Sequence, residues 1–288
     1  MKKKLNFIFW GTPDVASETL EILKQAGFLP SLIVTAPDKP QGRKMLITPP
    51  PVKVWAKKNN IPYLQPEKLD DFLPQVRLGG DFELSIVVAY GKIMPEEIIN
   101  MPKLGSINIH YSLLPKYRGA SPVESAILNG ETETGVTIQK MQFKMDSGPV
   151  IATEQVSIFP DEKAPDLRKR LKKIGGELLV KILPDLIEGK TKEVSQDESQ
   201  ATFCKKIKKE DGLVNLEAEP PSVLYNKFRA YATWPRIFFF KDSKRIIITD
   251  AILENGEFVI RKVLPEGKKE IRYDDFSLGH RPTGEAES

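Results

Sequence analysis

The feature that most limits how this chain folds is the order of its first elements. Leu5–Trp10 is a short apolar run closed by Gly11. Val15–Ala26 follows, with Val15, Leu20, Ile22 and Leu23 on one helical face and Gly27 after it as a cap. Ser31–Thr35 is a second apolar run. A strand, a helix and a strand in this order place two parallel strands in one sheet with a right-handed crossover. The alternation continues. Val52–Asn59, Pro95–Asn100, Pro122–Leu128 and Ala164–Glu188 read as helices. Ile61–Leu64, Leu84–Val88, Ser106–Ile109, Thr134–Lys140 and Pro149–Ser157 read as strands.

The character changes near residue 190. The stretch that follows is polar, with Lys190, Lys192, Gln196, Asp197, Glu198, Ser199 and Gln200, a linker composition. Beyond it one helix, Ser222–Tyr231, precedes short β runs at Ile237–Phe240, Arg245–Ala251, Glu257–Val263 and Lys269–Arg272. Turn signals such as Asn255-Gly256 separate them. The expected fold class is therefore α/β. A Rossmann-like, mostly parallel sheet with helices occupies residues 1–189, a linker 190–204, and a small OB-like β-barrel domain 205–288. The last residues, Gly279–Ser288, read as a frayed tail.

Composition narrows the function classes. Of 288 residues 40% are hydrophobic and 28% charged, enough apolar material for a sizeable core. The net charge of +4 and pI near 8.9 permit a polyanionic partner without requiring one. The single cysteine, Cys204, excludes a disulfide within the chain and a cysteine zinc cluster. The apolar stretch after the N-terminal lysines is about six residues, shorter than the ~7–15 of a secretion signal. No segment reaches the ~18 apolar residues of a membrane helix. A soluble cytoplasmic protein is expected.

The stretch most informative about chemistry is Ser106–Pro122, SINIHYSLLPKYRGASP. Asn108 and His110 alternate with apolar Ile107 and Ile109, so a period of two puts them on one face. That face lies near the carboxyl end of a parallel strand, where open α/β sheets keep their ligand crevices. Downstream, Asp146 opens the turn Asp146-Ser147-Gly148-Pro149. Read singly, His110 could be a core histidine bonded to a backbone carbonyl, and Asp146 an ordinary turn aspartate. Together the three residue types suit acyl transfer to an amine. Asn108 and His110 offer hydrogen bonds to a developing oxyanion, and a carboxylate beside the imidazole orients it and favours its charged form. Asp146 can also help pass a proton from the attacking amine to the leaving nitrogen.

Other chemistries lack their residues. Cys204 lies in the linker, and Ser121 has no Gly-x-Ser-x-Gly elbow around it. Phe9-Trp10-Gly11-Thr12-Pro13 has one glycine where a dinucleotide binder has three. One strand histidine with scattered acids makes no metal ligand set, so no metal is expected.

The run from Asn108 to Pro122, with Asp146-Ser147-Gly148 downstream, resembles the folate-dependent formyltransferases. The resemblance implies that Asn108, His110 and Asp146 are the catalytic trio and that 10-formyltetrahydrofolate is the donor. It extends to Val87–Ile93 and Ser112–Pro115, and implies that Ala89, Tyr90, Gly91, Ser112, Leu113, Leu114 and Pro115 line the folate pocket.

Pro37–Lys44 and Thr48–Val52 resemble the loop after the second strand in the branch of that family that acts on initiator methionyl-tRNA. Composition alone reads the loop as a basic, proline-rich surface segment. The resemblance implies contact of Lys39, Arg43 and Lys44 with the tRNA. Lys208–Gly212, Phe228–Tyr231 and Trp234-Pro235 resemble the family's small C-terminal domain. For Lys205, Lys206, Lys208 and Lys209 composition leaves a solvated run and an RNA surface both open. The resemblance implies the RNA surface. The implied activity is formyl transfer to the free amine of methionyl initiator tRNA by a monomer. The alternative is a formyltransferase for a small amine, such as a nucleotide sugar or glycinamide ribonucleotide. An RNA-binding module on an inactive scaffold is a third reading, opposed by the intact trio.

Overall fold

The computed structural model describes residues 5–42, 45–69 and 81–278. Arg43 and Lys44, expected at the RNA, lie outside the described residues, as do His280 and the tail from residue 279. The chain divides into two compact units. One takes residues 1–122, 134–156 and 169–203, the other 123–133, 157–168 and 204–288.

The first unit is built on a seven-stranded sheet. Its strands are β1 (Phe7–Gly11), β2 (Leu32–Val34), β5 (Tyr63–Leu64), β6 (Leu84–Val88), β7 (Ser106–His110), β9 (Glu133–Lys140) and β10 (Val150–Ser157). Across the sheet the order is β10-β9-β7-β6-β1-β2-β5. Strands β5, β2, β1, β6 and β7 pair in parallel, and β9 adds to β7 antiparallel. β1 and β6 are buried along their whole length, so β1 reads as a continuous apolar run and β6 as one broken only by Ser85. Among the described residues, helices α1 (Asp14–Gln25), α2 (Pro51–Lys58) and α3 (Glu96–Asn100) lie in crossovers between these strands.

The expected strand–helix order holds, with boundaries moved by a residue or two. The chain winds from β1 to one side through β2 and β5, and to the other through β6 and β7. The switch of direction between β1 and β6 is where such sheets open a crevice. Here that position is closed. Gly11 sits so tightly that a Cβ on it would lie 2.5 Å from the Ala16 Cβ. Thr12 Oγ1 donates to the Tyr90 carbonyl at 3.1 Å and accepts from the Ala36 amide at 3.4 Å. The open space lies one strand further on, beside β6 and β7.

Between β2 and α2 the sequence pattern reads a loop, and the structure has a hairpin. β3 (Lys39–Gln41) pairs antiparallel with β4 (Leu46–Thr48), with Pro40 opposite Ile47. The missed signal is Leu46-Ile47-Thr48, a β-prone triplet masked by the prolines and lysines around it. The base of the hairpin is pinned. Lys53 Nζ donates to both Asp38 oxygens at 2.8 and 2.7 Å, and Gln65 Nε2 to Asp38 Oδ1 at 2.8 Å. These bonds from Gln65 and Lys53 hold the Asp38 carboxyl below its ordinary range.

The remaining elements are β8 (Arg118–Gly119), α4 (Pro122–Leu128), the long α5 (Ala164–Ile187) and β11 (Phe203–Cys204). In the second unit α6 (Pro221–Ala230) packs on β13 (Lys244–Glu254) and β14 (Glu257–Pro265). These strands, with β12 (Phe238–Lys241) and β15 (Ile271–Arg272), form a four-stranded antiparallel sheet in the order β12-β13-β14-β15. The short helix α7 (Tyr273–Ser277) closes it. Leu224, Phe228, Ile237, Phe238, Ile246, Ile248 and Val263 make its core. Arg229 is buried there, and Tyr225 Oη donates to Asp161 Oδ1 at 2.8 Å.

Candidate active site

β7 delivers two of the expected residues to one cavity. Asn108 and His110, alternating with buried Ile107 and Ile109, both line a space of about 620 Å³, which Ile109 also borders. Asp146 lies on the same lining. So do Val87, Ala89, Tyr90, Gly91, Ile93, Met94, Ile99, Met141, Phe143 and Met145, which make most of the wall apolar. A cavity of this size with few polar groups suits a drug-sized ligand.

The antiparallel register of β7 and β9 supplies the partners. It sets Gln139 opposite Asn108 and Thr137 opposite His110. Gln139 Nε2 donates to Asp146 Oδ1 at 3.0 Å, and the Gly119 amide donates to Asp146 Oδ2 at 2.8 Å. Asp146 takes a left-handed backbone conformation, φ 51°, which brings its carboxylate to both donors. Such strain persists where the surroundings fix it. Gly148, two residues on, has room for nothing larger, since a Cβ there would lie 1.8 Å from the Lys140 carbonyl oxygen.

His110 is buried. Its Nε2 lies 2.9 Å from the Tyr117 carbonyl oxygen, which can only accept, so Nε2 carries the proton and donates. Its Nδ1 lies 3.6 Å from Asp146 Oδ2, an ion-pair distance and too long for a hydrogen bond. His110 is thus both the carbonyl-bonded histidine and the neighbour of a carboxylate. The Asn108 side chain has no hydrogen-bond partner among the described residues. It is the one amide of the trio left to meet a ligand.

The two segments expected at the folate part company. Ala89, Tyr90 and Gly91 line the cavity, with Ala89 and Gly91 in left-handed conformations at φ 47° and 82°. Burial pushes the Tyr90 phenol up to about 12. Lys92 fastens this loop by donating to the Pro66 and Glu67 carbonyls, each at 2.8 Å. Ser112, Leu113, Leu114 and Pro115 are not in the lining. Their turn is folded onto β9 instead. Thr137 Oγ1 donates to the Ser112 carbonyl at 2.7 Å and accepts from the Leu114 amide at 3.1 Å. Ser112 Oγ donates to the Lys116 carbonyl at 2.6 Å.

Sequence reasoning missed Gln139 and Arg118. Gln139 was findable, because the period of two in Thr134–Lys140 puts Thr137 and Gln139 on alternating polar positions among Val136 and Ile138. Arg118 reads as a loop residue before a helix, and the structure buries it completely. Its guanidinium donates to Gln196 Oε1 from Nε at 3.1 Å and Nη2 at 2.8 Å, and to Glu198 at 3.2 and 2.7 Å. Those partners lie 78 and 80 residues away, in the segment read as a linker, beyond the reach of any local pattern. Hydrogen bonds from Arg118 and Lys144 hold the Glu198 carboxyl down at about 2. Among the RNA-facing candidates, Lys39, Lys205, Lys206, Lys208 and Lys209 are exposed, with no ion pair among the described residues.

Comparison with known proteins agrees with this architecture. A formyl transferase family model matches residues 3–183, and a formyl transferase C-terminal domain model matches residues 206–259. A methionyl-tRNA formyltransferase of Staphylococcus aureus is 41% identical over 85% of this chain and 79% of its own. One from Geobacter sulfurreducens is 37% identical over 96% of this chain and 94% of its own. Among solved structures, a methionyl-tRNA formyltransferase from Clostridium thermocellum shares the fold with a TM-score of 0.61 at 16% identity, covering 93% of this chain and 99% of that one. An N-formyltransferase from Helicobacter canadensis, in complex with folinic acid and dTDP-3-aminofucose, gives 0.67 at 19% identity, covering 87% and 88%. Two family models and relatives matched over nearly the whole length agree: this chain belongs to the formyl transferase family.

Proposed function

We propose that this chain transfers the formyl group of 10-formyltetrahydrofolate to the amine of methionyl initiator tRNA, giving N-formylmethionyl-tRNA. The observation that carries this reading is the convergence of Asn108, His110 and Asp146 on one largely apolar cavity in a chain of this family. The folate occupies that cavity, with its formyl-bearing nitrogen toward the trio and the loop at Ala89–Gly91 along its ring system. The Ser112–Pro115 turn, which follows β7 and is tied to β9 through Thr137, is the second segment that holds the folate. No metal takes part.

In this reading the methionyl amine attacks the formyl carbon. A free α-amine has a pKa of ~7.7–8.0, so a useful neutral fraction exists near neutral pH. The carbonyl oxygen becomes an oxyanion. Asn108, whose amide is unengaged, donates to it in the largely apolar cavity, where such a donor is worth ~10²–10³ in rate. His110 stands beside it with the Asp146 carboxylate 3.6 Å from Nδ1, so positive charge on the ring is matched as the oxyanion forms. The C–N bond to the folate then breaks. One proton leaves the amine and one reaches the departing folate nitrogen, carried through His110 and Asp146 or a bridging water. No covalent enzyme intermediate is needed. The RNA supplies remote binding energy that orients the amine. Lys39, Arg43, Lys44 and the cluster Lys205, Lys206, Lys208 and Lys209 contact it, with Arg43 serving the preference for initiator tRNA. The enzyme works as a cytoplasmic monomer. Among the described residues no helix is long and apolar enough to cross a membrane.

The test is transfer of labelled formyl from 10-formyltetrahydrofolate to four acceptors side by side: methionyl initiator tRNA, methionyl elongator tRNA, free methionine and an amino sugar nucleotide. Initiator tRNA should be preferred by far. Preferential formylation of the amino sugar would replace this reading with the small-amine alternative.

A further inference from the structure

The polar segment 190–204 reads as a linker, yet it holds both sides of the His110 imidazole. On one side, Gln196 Nε2 donates to the Asp146 carbonyl at 2.9 Å and the Gly148 carbonyl at 2.6 Å. Its Oε1 accepts from buried Arg118, so the amide orientation is fixed from both ends. These bonds clamp the left-handed turn that aims Asp146 at Nδ1. On the other side, Thr202 Oγ1 accepts from the Tyr117 amide at 2.9 Å, and the Thr202 carbonyl accepts from the Arg118 amide at 2.9 Å. Tyr117 is itself left-handed, φ 60°, and its carbonyl takes the Nε2 proton. The segment is further held by the paired backbone bonds of Val194 and Val150 at 2.8 and 2.9 Å, by Glu198 on Arg118 and Lys144, and by the pairing of β11 with β8.

We propose that Gln196 and Thr202 are positioning residues that set the His110 imidazole between Tyr117 and Asp146. Neither lines the cavity itself; Gln196 reaches it only through the lining residue Asp146. Their effect on formyl transfer rests on the function proposed above, but their effect on the ring does not. Gln196→Glu keeps oxygens for Arg118 and removes both donors to the Asp146 turn. Thr202→Val removes the acceptor of the Tyr117 amide, and Thr202→Ser retains it.

The experiment uses the full chain with His280→Gln, which leaves His110 as the only one of two histidines. Nitrogen-15 NMR then reads the His110 ring directly, without substrate. The expected result is one protected Nε2–H resonance in the parent and in Thr202→Ser, shifted and broadened in Gln196→Glu and Thr202→Val. In parallel, kcat should fall about 10–100-fold in the latter two, as misplacement by around 1 Å costs, with the folate KM unchanged. Should Gln196→Glu fail to fold, as a thermal melt would show, Thr202→Val decides alone. Unchanged ring resonances in folded variants overturn the proposal, whether or not kcat falls. If the parent formylates no tRNA, the proposed function fails and the resonances still decide this inference.

Discussion

The turn at Asp146 and the hairpin of β3 and β4 are built on opposite principles. Around Asp146 almost every polar atom is spoken for. Its two carboxylate oxygens, its carbonyl and the Gly148 carbonyl all accept hydrogen bonds, and Gly148 has no space to move. In the hairpin, among the described residues, the side-chain bonds to other elements lie at the base, from Lys53 and Gln65 to Asp38, while Met45, Leu46 and Ile47 stand 67%, 64% and 66% exposed. Chemistry needs groups held within a fraction of an ångström, so the first region is over-determined. A surface that waits for a large, charged partner needs reach and exposed contact area, and pays for neither rigidity nor burial beforehand. The comparison predicts that substitutions at the turn act on kcat, and substitutions at the hairpin act on use of the RNA.

The largest effect expected is at the turn. Asp146→Asn keeps the size of the side chain, and Gln139 can turn its amide over to meet it. The fold should survive, with kcat down by about 10²–10⁴, the range of a lost acid–base or charge partner. Stopped turnover with a normal melting temperature would sharpen the contrast, and near-normal turnover would break it. Asn108→Ala should follow with a loss of about 10²–10³, the worth of one oxyanion donor, and unchanged folate binding by titration.

Not all of this contrast was legible in the sequence. The parallel sheet was, because each strand is a short apolar run and each crossover a periodic one. The pairing of Asn108 with His110 was, because a period of two fixes the face. The hairpin was not, since Leu46–Thr48 is too short to stand out beside Pro49, Pro50 and Pro51. The bracing of Asp146 was not either. Arg118 and Gln196 meet across 78 residues, and neither sits in a pattern that announces burial. The Ser112–Pro115 turn shows the limit from the other side: its resemblance to a folate segment is plain, while its anchoring depends on Thr137 of a later strand.

Smaller effects belong to the exposed region. Leu46→Ser with Ile47→Ser should leave stability within about 0.5 kcal/mol, because both side chains already face solvent. It should raise the KM for tRNA several-fold without moving kcat, and a fall in kcat instead would erase the distinction drawn here. Lys39→Ala should lower the slope of log affinity against log salt by about 1 if it meets one phosphate. The smallest effect concerns pH. The Glu198 carboxyl is held at about 2 by hydrogen bonds from Arg118 and Lys144, against an ordinary 4.5. A carboxyl with a depressed pKa stabilises the fold above its ordinary value and loses that contribution as pH falls through the depressed one. The melting temperature of Glu198→Gln should therefore lie below that of the parent above pH 4.5 and converge with it toward pH 2. A gap that stays constant over that interval would separate Glu198 from the ion pairs assigned to it.

In the proposed mechanism Asn108 and Asp146 act on one transition state as parts of a single device with His110. Single-turnover transfer to methionyl initiator tRNA by the parent, Asn108→Ala, Asp146→Asn and the double variant tests it most directly. Residues that work as a unit are non-additive. The double variant should be little slower than the worse of the two single ones. Losses that multiply, or single variants that transfer formyl at the parent's rate, would contradict it.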